Sequence, residues 1–231
     1  MSTSSAVREL AERLKLKVGD PALLEQALTH PSYLNENPDF PLDSNERLEF
    51  LGDAVIALVV ALELYRRCPG ASEGDLTRNR AHLVSGASLA RIGRRLGVGD
   101  SLRMGRGEEA TGGRERESNL AAAFEAIVGA AFLDGGYDAA RKLLLRVFKS
   151  RIDRVVRYGI PQDAKARLQE LAQGKGMGLP RYELVDASGP EHARVFTVCV
   201  KVGGETLGRG QGKRKADAER AAARKALERL P

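Results

Sequence analysis

Apolar and polar positions follow the 3.6-residue period of helices through residue 156. Strand-like alternation enters only after residue 180, before a last helix. Leu23, Leu24, Ala27 and Leu28 mark a short amphipathic helix behind Asp20-Pro21, with proline in the first turn where its missing N–H is harmless. Residues 35–43 are polar and proline-containing, hence a loop. A helix then runs from residue 46 to Cys68-Pro69-Gly70. Its apolar positions Leu48, Leu51, Val55, Leu58, Val59 and Leu62 spread over several faces, which predicts that it is largely buried. Ser72-Glu73-Gly74-Asp75 has the spacing of a capping box and opens a helix through Leu83. Residues 88–96 form another helix, ended by Gly97, and the glycine-rich, charged residues 104–116 read as a loop. Residues 118–133 are a nearly all-apolar helix closed by Asp134-Gly135-Gly136, and residues 138–156 are amphipathic with a basic outer face.

Residues 157–162 read as a linker. Beyond them, residues 164–173 form a helix with Leu168 and Leu171 inward. Strands follow at 182–185, at the β-branched run 195–202, and at 205–208 after the tight turn Gly203-Gly204. An alanine-rich helix covers 214–230. The expected architecture is multidomain: an all-α domain over residues 1–156, the linker 157–162, and a small α+β module of order α-β-β-β-α over residues 163–231.

The long helix after residue 45 carries chemistry as well as core. In Asn45-Glu46-Arg47-Leu48-Glu49-Phe50-Leu51-Gly52-Asp53, the acids Glu46, Glu49 and Asp53 fall within about a sixth of a turn of one another. Like charges so crowded call for a compensating cation, and oxygen ligands suit Mg²⁺ or Mn²⁺. The competing reading is a solvated acidic stripe, for which the apolar run from 54 to 64 leaves little room. Glu125, an acid within an apolar helix, is read as functional in the same sense. Glu73, at a helix start, is also explained by capping. His30 reads as structural, and His82 carries no signal.

Charge sharpens the division into domains. Through residue 156 the chain has 22 basic and 22 acidic side chains; beyond it there are 15 and 9, so the whole +6 sits in the last third. This points to a C-terminal module that meets a polyanion. Aromatic residues are only 5%, which disfavours a stacking platform for single strands. No stretch approaches about 20 apolar residues, so no membrane span and no membrane partner are expected. Residues 1–10 lack the apolar core of a signal peptide. Cys68 and Cys199 have neither disulfide-framework nor zinc spacing. A reducing, cytoplasmic location is expected.

With these residues in view, the chain resembles bacterial ribonuclease III over nearly its full length. The run from 45 to 53 matches that family's signature. Leu28-Thr29-His30-Pro31-Ser32-Tyr33 is similar to its upstream motif. Phe124-Glu125-Ala126, followed by Ala131-Phe132-Leu133-Asp134-Gly135-Gly136, is similar to its second acidic helix. The C-terminal part resembles a double-stranded RNA-binding domain through Gly189-Pro190-Glu191-His192, Gly210-Gln211-Gly212-Lys213-Arg214-Lys215 and Ala218-Glu219.

The resemblance implies a Mg²⁺-dependent endonuclease, with Mn²⁺ as a substitute, that cuts double-stranded RNA as a homodimer. It implies 5′-phosphate and 3′-hydroxyl ends and a role in processing rRNA and mRNA precursors. Carried over, Glu49 and Glu125 are metal ligands and Asp53 holds a water of the ion's shell. Glu46 and Glu73 lie further along the cleft near the RNA backbone, and Phe50 packs into the partner subunit. One departure matters: the family carries an aspartate where this chain has Ala122, so a ligand oxygen is missing. Asn119 lies about 120° around the helix from Glu125 and does not obviously replace it. The alternative reading is therefore a cleavage-impaired duplex-RNA-binding dimer. A helical metal-binding protein without RNA is undercut by the basic module.

Duplex RNA presents a wide, shallow minor groove of 2′-hydroxyls flanked by phosphates. Gln169 and Glu170 on the module's first helix suit the hydroxyls, and His192 suits a second minor groove. Lys213, Arg214 and Lys215, at a helix start, suit the phosphates. The family usually has a lysine at Ala216 and a small hydroxyl residue at Arg214.

Overall fold

The computed structural model describes residues 5–160, 164–190 and 194–230. The chain divides into two compact units, Met1–Ile160 and Pro161–Pro231.

The first unit is helical: α1 Ser5–Arg13, α2 Pro21–Ala27, α3 Pro31–Glu36, α4 Glu46–Arg67, α5 Glu73–Leu83, α6 Gly86–Arg95, α7 Val98–Ser101, α8 Arg106–Ala110 and α9 Glu117–Tyr158. Local chemistry sets several starts. Asp20 caps α2 by accepting from the Ala22 N–H at 2.9 Å, with Pro21 following. Ser72 and Asp75 form the expected capping box on α5. The loop read over 35–43 is partly helical, since α3 reaches Glu36. The loop read over 104–116 contains α8 and a 3₁₀ turn at Gly113–Glu115. These turns are held by side chains: Arg114 Nη1 donates to the Gly99 and Leu102 carbonyl oxygens, each at 2.8 Å. Such long-range anchoring is invisible to a periodicity argument. The only strand-like pairing among the described residues of this unit is an isolated bridge between Thr29 and Arg103.

Helices α4 and α9 form the centre of the core, with Ile56, Leu64, Phe124, Ile127 and Phe148 fully buried. They cross at two glycines. A Cβ at Gly52 would stand 1.8 Å from the Glu125 carbonyl oxygen, and one at Gly129 would stand 2.3 Å from that of Leu48. Only glycine permits this approach. α9 is broken at Gly136 (φ 69°, ψ −171°), a backbone conformation that glycine alone adopts readily. The expected stop at Asp134-Gly135-Gly136 is this break. Asp134 fixes it by accepting from the Gly19 and Asp20 N–H groups at 2.8 and 2.7 Å. By length and composition α9 is apolar enough to cross a membrane, which corrects the expectation that no stretch is. More than half of its most apolar window is buried inside the unit. α9 also ends at Tyr158, two residues into the segment read as linker.

The second unit has α10 Ala164–Gly174, strands β1 Arg181–Ser188, β2 Val195–Val202 and β3 Glu205–Gly212, and α11 Lys215–Leu227. The strands pair antiparallel in the order β1-β2-β3. Leu168 and Ala172 of α10 and Ala222, Ala223 and Ala226 of α11 pack with Val200 and Val202 of β2. β3 is longer than the expected 205–208. It runs on through Gly212, and Gly208, Gly210 and Gly212 alternate toward α11. A Cβ at Gly208 or Gly210 would stand 2.2 Å from Ala222 backbone atoms.

Candidate active site and RNA-binding surface

The glycine crossing places the acids. Glu49 and Asp53 flank Gly52 on α4, and Glu125 rises from α9 directly against it. Glu49 and Glu125 are half-buried, whereas Glu46 and Asp53 are exposed. Burial pushes the Glu125 carboxyl up to about 7, and the nearby Asp53 and Glu49 add to the effect. Burial also raises Glu49, reinforced by Glu46 and Asp53. The four acids are therefore electrostatic neighbours. Glu46 is held by the Ser44 hydroxyl at 2.8 Å. Glu49, Asp53 and Glu125 have no hydrogen bond or ion pair to any described residue.

Crowded, half-buried carboxylates with no cation opposite fit a hard divalent ion, and oxygen donors favour Mg²⁺ or Mn²⁺. The set is nonetheless open. Among the described residues no three His, Cys, Asp or Glu side chains converge closely enough to enclose an ion. Ala122 is half-buried one turn before Glu125 on α9. Asn119 is committed elsewhere: its amide donates to Glu108 at 2.7 Å and to the Gly113 carbonyl oxygen at 3.1 Å.

Glu73 is not brought to this group within the single chain. It starts α5, accepts from Thr77 Oγ1 at 2.9 Å, and lines a groove with Leu58, Leu62 and Tyr65 of α4. Those positions lie about 13–24 Å beyond Glu49 along the helix. His30 is structural, as expected. Its Nδ1 meets Ser32 Oγ at 2.7 Å and accepts from the Ser32 N–H at 3.2 Å, capping α3, and burial lowers its pKa.

α4 is less buried than its apolar run suggested. Phe50 is 82% exposed, Leu58 56% and Tyr65 70%. With Ala54, Ala57 and Ala61 they form one apolar stripe about 100° wide. Apolarity here marks a face uncovered in one chain rather than core. The residues that sequence reasoning passed over are Gly52 and Gly129. Their signal was available: each lies four or fewer residues from a singled-out acid on an otherwise bulky apolar helix.

In the second unit Gln169 and Glu170 are exposed on α10, beside buried Leu168. Lys213, Arg214 and Lys215 are exposed where β3 ends and α11 begins. Arg214 is partly neutralised by Asp217 at 3.1 Å, which Arg220 shares at 3.3 Å. Lys213 and Lys215 have no carboxylate partner among the described residues. His192 lies outside the described residues.

Comparison with known proteins agrees with both units. Residues 20–152 match the family model described as ribonuclease-III-like, and residues 164–230 match the double-stranded RNA binding motif. Ribonuclease 3 of Caldanaerobacter subterraneus subsp. tengcongensis is 46% identical over 221 residues, covering 96% of each chain. The crystal structure of the nuclease domain of ribonuclease III from Campylobacter jejuni is 38% identical. It superposes with a TM-score of 0.59 over 69% of this chain and 99% of its own. A second structure of that nuclease domain, 40% identical with a TM-score of 0.58, covers 62% of this chain and 96% of its own. It shows flexibility in a region involved in dimer formation. Two matched domains in this order, and identity across nearly the whole length, settle the assignment: the chain belongs to the ribonuclease III family, an endoribonuclease acting on double-stranded RNA.

Proposed function

We propose that this chain hydrolyses duplex RNA at the Glu49–Asp53–Glu125 group with Mg²⁺, Mn²⁺ substituting, and leaves 5′-phosphate and 3′-hydroxyl ends. The observation that supports this reading is the electrostatic proximity of these unneutralised acids around the Gly52–Gly129 crossing. Glu49 and Glu125 would hold the ion, and Asp53, facing solvent, would accept a hydrogen bond from the attacking water. Bound there, Mg²⁺ supplies positive charge to the phosphate and eases deprotonation of water. The water oxygen bonds to phosphorus as the bond to the 3′ oxygen breaks; the water gives up one proton to solvent and the 3′ oxygen takes one from it. Glu46, steadied by Ser44, borders the cleft. Glu73 reaches an RNA backbone from its own place on α5. Gln169, Glu170 and His192 address the minor grooves, and Lys213, Arg214 and Lys215 the phosphates.

The apolar stripe of α4 is covered by a second copy of the chain, with Phe50 inserted into it. Two sites related by a two-fold axis match the two strands of the substrate. Precursors of rRNA and mRNA in the cytoplasm are the proposed substrates. Labelled duplex RNA incubated with Mg²⁺ tests the reading. The chain yields short products, Glu125→Gln yields none, and light scattering reports a dimer that Phe50→Asp dissociates. Uncut RNA with the unaltered chain would sink the reading.

Ala122 favours a second reading, an RNA-binding dimer that cuts poorly. Ala122→Asp separates the two: it lowers the Mg²⁺ concentration needed for half-maximal cleavage by at least about tenfold, the lower end of what even a hydrogen-bond partner of a ligand contributes. An unchanged requirement would show that position 122 is not a ligand site.

A further inference from the structure

Away from the acidic cleft, the helical unit gathers four arginines with no acid opposite them. Arg91 and Arg95 lie one turn apart on α6; Arg151 and Arg154 lie on the second segment of α9. Packing joins the pairs. Arg151 Nη1 donates to the Ser88 carbonyl oxygen at 3.0 Å and also to Ser88 Oγ. Arg95 Nη2 donates to the Val147 carbonyl oxygen at 3.1 Å. Arg91 Nε donates to the Ala87 carbonyl oxygen at 3.1 Å. None of the four has a carboxylate partner among the described residues. Residues 86–95 and 139–160 contain a single acid, Asp153, and it is held by Arg67 at 2.8 Å and Lys149 at 3.1 Å. Burial lowers the proton affinity of Arg151, and Arg91, Arg95 and Arg154 lower it further. Cations pressed together in this way gain from an anion between them.

The cluster is separate from the carboxylates. Arg67, which reaches Asp153 between Arg151 and Arg154, is 18 residues beyond Glu49, about 27 Å along α4. Residues 1–156 are formally neutral, so this positive charge is a local arrangement. It also lacks the apolar anchor of a protein interface: on α6 and across residues 147–154 every large hydrophobic side chain is buried. Guanidinium forks match phosphate oxygens two at a time.

We propose that Arg91, Arg95, Arg151 and Arg154 form a phosphate-binding site for the backbone of duplex RNA, on the helical unit and remote from the carboxylates. This rests on the duplex substrate reading above. Phosphates held there add sequence-independent affinity to that of the cleft.

The test uses the full chain and a duplex of roughly 30 base pairs, about twice what one RNA-binding module spans. Affinity is read by fluorescence anisotropy across a salt series. Arg91→Gln with Arg154→Gln weakens binding several-fold at about 0.1 M salt and lowers the slope of log affinity against log salt by about 1–2. Arg91→Lys with Arg154→Lys keeps most of the slope. Arg154 makes no hydrogen bond to a described residue, so Arg154→Gln alone folds and shows about half the loss. Unchanged slope and affinity in the glutamine variants, with the parent binding normally, overturn this inference alone. So does an unchanged slope accompanied by stabilisation of the parent, but not of the variant, by inorganic phosphate, which assigns the cluster to a free anion. A parent that bound no duplex would overturn the substrate reading and this inference with it.

Discussion

In the helical unit, glycine stands singly where two helices cross, at Gly52 and Gly129. In the α+β unit it stands as a row, Gly208, Gly210 and Gly212, along one face of β3. Both arrangements let backbones touch, but with different consequences. At the crossing, the closest contact and the chemistry coincide. The atom that a Cβ at Gly52 would strike is the carbonyl oxygen of Glu125 itself. In the second unit the glycine face of β3 meets the alanine face of α11, while Lys213 and Lys215 project from the end of that contact. Packing and charge are separable there and inseparable in the helical unit.

Substitution at the two kinds of glycine is the strongest way to break this contrast. Gly52→Ala drives a methyl into the α9 backbone at the centre of the core, where neither helix has room to move. A loss of more than about 3 kcal/mol is expected by urea unfolding, with cleavage abolished. Gly210→Ala also meets backbone, at 2.2 Å against 1.8 Å for Gly52, but β3 is an edge strand and can shift. A loss of about 1–3 kcal/mol is expected, with duplex affinity reduced. If Gly52→Ala were the milder of the two, the crossing would not be what positions the acids.

The acids supply the next effect, and it depends on pH. The Glu125 carboxyl titrates at about 7 in the folded chain, against 4.5 as its ordinary value. Between those two values the folded state binds more protons than the unfolded one, so ion-free stability falls as pH rises and levels off above about 7. Glu125→Gln removes this dependence. The variant is therefore more stable than the parent at about pH 8, by about 1–2 kcal/mol after allowing for partial solvation, and the gap closes below about pH 4.5. Thermal unfolding in chelator across pH measures it. Binding of a divalent ion must displace the same proton, so Mg²⁺ affinity by calorimetry tightens as pH rises through about 7.

Much of this was legible in the sequence for reasons that can be named. The acid spacing on α4, the capping box at Ser72 and the break at Gly135-Gly136 are local signals, fixed by helix geometry and by side chains a few residues apart. β2 was legible because its β-branched run leaves no other period. The sequence does not disclose what a residue meets across the fold. That Gly210 belongs to β3 and lies against α11 shows only in the fold. Leu58 looks like core until the rest of the unit turns out to pack on the other faces of α4. Ala122 was visible as a departure, but that Asn119 is tied to Glu108 and Gly113 depends on a loop that periodicity left shapeless.

The smallest effect concerns the basic triplet and sharpens the contrast from the other side. If packing and charge are separable in the second unit, each cation should count by its freedom to meet phosphate rather than by its place in the fold. Lys213 and Lys215 are exposed and have no carboxylate partner among the described residues, whereas Arg214 shares Asp217 with Arg220. Lys213→Ala and Lys215→Ala should each reduce the salt slope of duplex binding by about 1. Arg214→Ala should reduce it by less, because binding phosphate through Arg214 first requires loosening an ion pair worth about 0–1 kcal/mol. Asp217→Asn reverses the order by releasing Arg214, and raises affinity slightly. Equal slopes for all three single variants would show that Asp217 does not restrain Arg214 in solution. The triplet would then act as a uniform field set by total charge, with no member distinguished by its neighbours.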